Sequence, residues 1–356
     1  MNDPGQVIHD REIDEYVIVS ELGRGASSTV FLAVHQLLER KVALKILDQD
    51  VATDDTLMQR FHREAQLLRS ADNPNIVKIF SSGITKSGRP YMVLELLEGE
   101  TLASRLESKG ALSAEEAIPL FVQILNGLRG AHELGVVHQD VKPGNIMLCN
   151  SPEGVIVKLV DFGISRLLNE SESVEQTRLQ NGELKGTLNY MSPEQCLGKD
   201  VSPASDLYSL GCVLYECLSG QVPFTNSSGY DVLYQHAHAT PLPFAKLNPP
   251  CLVLPAIEKV VRRSLEKSLS QRFPSAESMC EALLEASSGP SELSVKHHKW
   301  WLASVCVVVL LAACICFWWQ NSATRRYSSA PDPKTFLSVR EAWTEASAQM
   351  MSCHYR

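Results

Sequence analysis

Apolar and polar positions alternate along Lys41-Val42-Ala43-Leu44-Lys45-Ile46-Leu47, which predicts a strand, and Tyr16–Ser20 and Val30–Val34 read as two more. Between those two, Glu21 to Thr29 carries Gly23 and Gly25, so a glycine-rich hairpin loop is expected there. From Arg60 to Leu68 the period lengthens: Phe61, Ala65 and Leu68 recur at i, i+4 and i+7, the spacing of one helix face. Tyr91-Met92-Val93-Leu94 reads as a buried strand that turns acidic at Glu95 and Glu98 and then reaches Gly99. A long helix is predicted over Ser113–Leu134, with Ser113 as N-cap, Glu116 three residues later, and Phe121, Leu125 and Leu128 at helical spacing. The pattern is that of an α+β chain.

Composition narrows the class. A chain of 356 residues holds one catalytic domain large enough to split into lobes, and little else. The formal charge of −8 argues against a nucleic-acid surface. Ten cysteines form no C-x-x-C pair or zinc spacing, and Cys212 and Cys217 fall in a predicted buried helix, the pattern of a reduced intracellular domain. His236-x-His238 is a weak metal motif and reads as loop.

The chemistry concentrates in His138-Gln139-Asp140-Val141-Lys142-Pro143-Gly144-Asn145, followed at a distance suited to a β-hairpin by Asp161-Phe162-Gly163. Asn145 and Asp161 offer hard oxygen atoms, which suit Mg2+. Asp140 is a feeble base at neutral pH, since an unperturbed aspartate has a pKa of about 3.9; its expected work is aiming a hydroxyl group. Lys142, two residues on along an extended loop, projects the same way and brings a positive charge. A lone D-F-G is a common turn around a buried Phe, but H-x-D-x-K-x-x-N with D-F-G downstream is far more specific. This pair resembles the catalytic loop and D-F-G of the protein kinases, and the chain is similar to the bacterial eukaryotic-like (Hanks-type) serine/threonine kinases from about Tyr16 to Ala286.

The resemblance implies a two-lobed kinase fold over 16–286, with a β-rich N-lobe at about 16–97 and a helical C-lobe at about 98–286. It implies transfer of the ATP γ-phosphoryl group to Ser/Thr hydroxyls of protein substrates, with Mg2+ (or Mn2+) at Asn145 and Asp161, and autophosphorylation. Asp140 and Lys142 are the catalytic-loop residues, and in the family this lysine marks Ser/Thr specificity. Lys45, from the V-A-x-K pattern, would hold the α/β-phosphates and pair with Glu64 on the following helix. Gly23, Gly25 and Ser28 would cover the phosphates, Ser28 standing where the family has a third glycine. Leu22, Val30, Ala43 and Met147 would wall the adenine, Leu94 would close the back of the pocket, and backbone groups near Glu95 and Leu97 would meet the base edge. Thr187 would contact both Asp140 and Lys142 from the segment that ends in Ser192-Pro193-Glu194. Glu194 would pair with Arg272, and Asp206 would anchor the catalytic loop.

Gln139 replaces the arginine that usually reads a phosphate on the activation segment, and an amide cannot make that charge-assisted pairing. Phosphorylation at Ser171, Ser173 or Thr177 is therefore expected to matter little, the alternative being that Arg166 or another cation near the loop takes the arginine's place. Ser28 and Gln139 also suggest an alternative, a pseudokinase acting as a membrane scaffold or sensor, against which stand intact Lys45, Glu64, Asp140, Asn145 and Asp161. A small-molecule kinase is the other alternative, and the complete Gly186–Glu194 segment favours protein substrates.

Trp300–Trp319 carries no charge over its twenty positions and has paired tryptophans at each end. At about 1.5 Å per residue it reaches roughly 30 Å, the thickness of the bilayer core, so it is expected to be a single transmembrane helix. Lys296 and Lys299 before it balance Arg325 and Arg326 after it, so flanking charge does not orient it. Met1–Ser20 has no signal-peptide core and a kinase needs ATP, which puts the catalytic domain in the cytoplasm and the tail outside the cell membrane. Residues 1–15 are then an N-terminal tail, 287–299 a juxtamembrane linker and 320–356 an exported tail. Phe336, Val339, Trp343, Ala346 and Met350 give that tail one amphipathic helix, able to form a homodimer, bind a partner or begin a helical-repeat region. The full chain should stay in the membrane pellet through carbonate washing, and protease added to intact spheroplasts should remove only the tail beyond Gln320. Release at high pH would contradict the span.

Overall fold

The computed structural model describes residues 12–25, 28–47, 55–162, 188–226 and 228–288, all within one compact unit. A small β-rich N-terminal lobe precedes a larger helical one. The first sheet has the order β1-β2-β3-β4-β6-β5, built from Glu12–Ile13, Tyr16–Arg24, Ser28–His35, Lys41–Leu47, Pro90–Glu95 and Ile79–Ile84. Every neighbouring pair in it is antiparallel. The glycine-rich hairpin is tighter than its sequence suggests, because β2 runs on to Arg24 and the Gly25 N–H donates to the Ser28 carbonyl at 2.8 Å.

Strand alternation decides where Lys45 points. On β4, Val42, Leu44 and Ile46 belong to one core cluster with Phe31 and Val93, whereas Ala43 and Leu47 belong to the larger core that also takes in Met58, Phe61 and Ala65 of α1 (Asp55–Arg69). Lys45 lies between Ala43 and Leu47 in the two-residue repeat, so it shares their face. Phe61, Ala65 and Leu68 are all buried, as the helical period requires.

A second sheet, β7 (Gly99–Thr101), β8 (Ile146–Ser151) and β9 (Gly154–Leu159), carries the catalytic-loop and D-F-G flanks. Glycine is required at residue 99, where a Cβ would sit 2.1 Å from the Leu148 carbonyl oxygen. After α2 (Leu102–Lys109), helix α3 spans Ala114–Glu133. Ser113 caps α3, and the reciprocal bond with Glu116 completes the capping box expected from the sequence. The C-terminal lobe continues through α4 (Pro193–Cys196), α5 (Pro203–Ser219), α6 (Gly229–His238), α7 (Pro255–Ser264) and α8 (Ala276–Ser287). Helix α5 is its centre, and burial pushes the thiols of Cys212 and Cys217 well up.

His236-x-His238 is not a loop. It closes α6, and His236 is core: its Nδ1 lies 3.0 Å from the Tyr208 hydroxyl, and its ring meets Phe224 edge-on. Burial lowers its pKa to about 3, so the ring stays neutral. Two positions along a helix lie on different faces, which rules out a shared metal, and no metal-ligand cluster occurs among the described residues. Residues 300–319, the tail and Thr187 lie outside the described residues. Among those described, no helix is long and apolar enough to cross a membrane.

Arg272 locks α4 to the end of the domain. All five of its N–H donors are used: Glu194 takes two at 2.8 and 2.9 Å, and the carbonyls of Glu266, Ala204 and Lys267 take the rest. Neither charge reaches water to any extent, with side-chain exposures of 0% and 6%. Arg272→Ala should therefore cost about 3–5 kcal/mol in denaturant titration, because Glu194 is left buried and unpaired, while the double change to methionine should cost less. Burial would raise the Glu194 carboxyl, but the Arg272 hydrogen bonds hold it below its ordinary 4.5. The pair's contribution is thus complete above about pH 4.5 and is lost as pH falls through the folded value.

Candidate active site

One carboxylate organises the catalytic loop. Asp206, buried on α5, accepts the His138 N–H and the Gln139 N–H at 2.8 Å each, and its Oδ2 lies 2.8 Å from His132 Nε2. Gln139 has a φ of +64°, left-handed backbone that a non-glycine residue adopts only at a cost of about 1–3 kcal/mol. The turn is fixed from both sides, since the Gln139 carbonyl also accepts from Gln195 Nε2 at 2.8 Å. Gln139 thus serves the loop through its backbone, whatever its side chain lacks in charge.

Past this turn, Asp140, Lys142 and Asn145 converge. Asp140 Oδ2 takes the Lys142 ammonium at 2.7 Å and the Asn145 Nδ2 at 2.8 Å. Asn145 Nδ2 also donates to the Asp140 carbonyl at 2.8 Å, which spends the amide nitrogen and leaves the amide oxygen as the available ligand. The Val160 N–H donates to the Asn145 carbonyl at 3.0 Å, so the strand before Asp161 is tied to the same loop.

His138 joins loop and D-F-G. Its Nε2 donates to the Val160 carbonyl at 3.1 Å, its Nδ1 accepts the Asp140 N–H at 3.4 Å, and its ring lies tilted against Phe162 with centroids 4.4 Å apart. Those bonds require the neutral Nε2–H tautomer, and burial keeps the pKa below the usual histidine range despite Asp206, Asp140 and Asp161 nearby. Asp161 takes a left-handed φ of +59°, and its Oδ1 meets Lys45 Nζ at 2.6 Å. Burial alone would raise the Asp161 carboxyl, yet the charge and hydrogen bond of Lys45, with help from Lys142, hold it below the ordinary value.

The Lys45–Glu64 ion pair expected from the sequence is not among the ion pairs of the described residues. Lys45, 6% exposed, takes Asp161 as its counter-charge, because a buried ammonium needs the nearest carboxylate that its strand face can reach. Glu64 is half-buried on α1. The other predicted positions line the nucleotide side. Gly23, Val30 and Lys45 lie side by side across β2, β3 and β4, and Ala43 faces Leu94 on β6. Ala43 and Leu94 are buried, Val30 and Met147 half-buried, and Leu22 is exposed at the rim. Ser28 opens β3 and is buried, while the Glu95 N–H is spent on the Lys78 carbonyl at 2.9 Å and Leu97 lies just beyond β6.

Sequence reasoning passed over three side chains. Asn75 ties α3 to β9 through Gln123, Asn126 and the Val157 carbonyl. Lys158 and the carboxylate of Glu95 form an ion pair at 2.6 Å. The signal for Lys158 was present, a lone cation in the apolar run Val155-Ile156-Val157-Lys158-Leu159-Val160.

The donor set fits a nucleotide with a hard divalent ion. Asp161 and the Asn145 amide oxygen would supply the oxygen ligands, and Lys45 would add a cation for phosphate. A Cβ at Gly23 would meet no protein atom within 4 Å, so the hairpin leaves room beside this set.

The comparisons agree with this geometry. The protein kinase domain family matches residues 16–284. A probable serine/threonine-protein kinase PknB of Bifidobacterium longum is 38% identical over 273 residues, covering 73% of this chain and 38% of that protein. PknB of Mycobacterium leprae is 37% identical over 279 residues, covering 78% and 43%. The chain thus spans about two-fifths of the length of these curated relatives. In fold, it is similar to the crystal structure of the Mycobacterium tuberculosis PknI kinase domain, with a TM-score of 0.59 at 23% identity over 77% of this chain and 97% of that one. With lobes, catalytic loop and family match in agreement, this chain belongs to the protein kinase domain family.

Proposed function

We propose that the chain is a membrane-anchored serine/threonine protein kinase that transfers the γ-phosphoryl group of ATP to protein hydroxyls, itself included. The observation that carries the reading is the convergence of Lys45, Asp161, Asn145, Asp140 and Lys142, from both lobes, in one set of direct and shared hydrogen bonds. Phosphoryl transfer needs mainly positioning and charge neutralisation, and this set is built for both.

Bound MgATP supplies the phosphoryl group and the divalent charge that offsets its oxygens. Asp161 and Asn145 would hold the ion, and Lys45 would neutralise phosphate. Asp140, its Oδ2 held by the Lys142 ammonium and the Asn145 amide, orients the substrate hydroxyl and takes up its proton late in the transfer. Lys142 offsets charge as it leaves the nucleotide. The names of the relatives support serine and threonine as acceptors. The apolar stretch 300–319 supports the anchor, with the kinase domain facing cytoplasmic ATP and the tail beyond 320 outside.

Full chain in mild detergent should label a generic protein substrate, and itself, from γ-labelled ATP and Mg2+, with phosphate on serine and threonine only. Lys45→Met, Asp140→Asn and Asp161→Asn should each lower turnover by about a hundredfold or more while still melting cooperatively. A folded Asp161→Asn protein with near-normal turnover would refute the site.

A further inference from the structure

Two sheets meet at the nucleotide side, and one carboxylate spans the join. Glu95 ends β6 in the first sheet, and Lys158 lies on β9 in the second. Glu95 Oε1 accepts the Lys158 ammonium at 2.6 Å and the Lys78 backbone N–H at 2.7 Å, while the Glu95 N–H returns to the Lys78 carbonyl at 2.9 Å. Both side chains are mostly shielded, with exposures of 17% for Lys158 and 24% for Glu95, so water and salt weaken the pair less than an open surface pair. On the far side, Lys158 is followed by Leu159, whose backbone bonds to Asn75 and Val77, then by Val160, bonded to Asn145 and His138, then by Asp161.

The backbone between Lys158 and Asp161 is therefore held at Leu159 and at Val160, which fixes the spacing of Lys158 and Asp161. Glu95 is held as firmly to the start of β5. We infer that the Glu95–Lys158 pair is a positioning strut, which fixes the spacing between the strand end that meets the adenine and the carboxylate that serves the phosphates. This rests on the nucleotide-binding reading above and gives these side chains a role in it. A ligand gripped at two ends gains affinity only if both ends are in register, so the strut should matter to a nucleotide with phosphates and not to adenosine, which uses one end.

The test is calorimetric binding of adenosine and of a non-hydrolysable ATP analogue with Mg2+ to the full chain and its variants. Glu95→Gln keeps an acceptor for the Lys78 N–H and removes the charge; Lys158→Met removes the cation and keeps the stem. Each should weaken the analogue about tenfold, or about 1.4 kcal/mol, and leave adenosine within twofold. The double variant should be no weaker than the worse single one, and Lys158→Arg should hold the analogue within threefold of wild type. Equal losses for adenosine and analogue, or additive losses in the double variant, would overturn the strut. A wild type that binds the analogue more tightly than adenosine but transfers no phosphate would remove the kinase reading alone, and one that binds neither would remove both.

Discussion

The structure depends on a buried aspartate with nothing to do in the chemistry. Asp206 is held on the central helix of the larger lobe and spends both carboxylate oxygens on the loop that carries the reactive residues. A short loop at a protein surface has many conformations of similar energy, and fixing each residue costs about 1–2 kcal/mol of entropy. Two charge-assisted bonds to consecutive backbone N–H groups select one of them, including the left-handed turn at Gln139. From that turn the positions of Asp140, Lys142 and Asn145 follow, and through Val160 so does that of Asp161.

The same logic links the two lobes. Lys45 reaches the cleft because alternation along β4 puts it on the face of Ala43 and Leu47, and Asp161 reaches it because an unusual backbone angle turns its side chain there. The contact between them is the point where an N-terminal strand and a C-terminal loop share charge. His138, Asn75, Glu95 and Lys158 surround that contact and hold the strand leading to it. Arg272 does the equivalent work at the periphery, where it ties α4 to the chain beyond α7.

What the sequence made legible was what short-range physics controls. The capping box at Ser113 and Glu116, the helical repeat of Phe61, Ala65 and Leu68, and the alternation on β4 all depend on neighbours a few residues away. The catalytic motif was legible because phosphoryl transfer constrains residue type and spacing together. Less legible were partners far apart in the chain. The counter-charge of Lys45 and the acid facing Lys158 are chosen by three-dimensional proximity, over separations of 116 and 63 residues. His236 was misread as loop for a related reason, since its place in a helix is set by packing on Tyr208 and Phe224 and not by local pattern.

The backbone grip of Asp206 creates the active geometry. The most direct test is single-turnover phosphoryl transfer by Asp206→Asn, with a thermal melt to establish the folded fraction at the assay temperature. Asparagine can accept from only one of the two N–H groups through its oxygen and presents donors to the other. Transfer per folded molecule should fall by about a hundredfold or more, because a displacement near 1 Å of positioned groups costs that much. A folded Asp206→Asn protein that transfers phosphate at close to the wild-type rate would contradict the account.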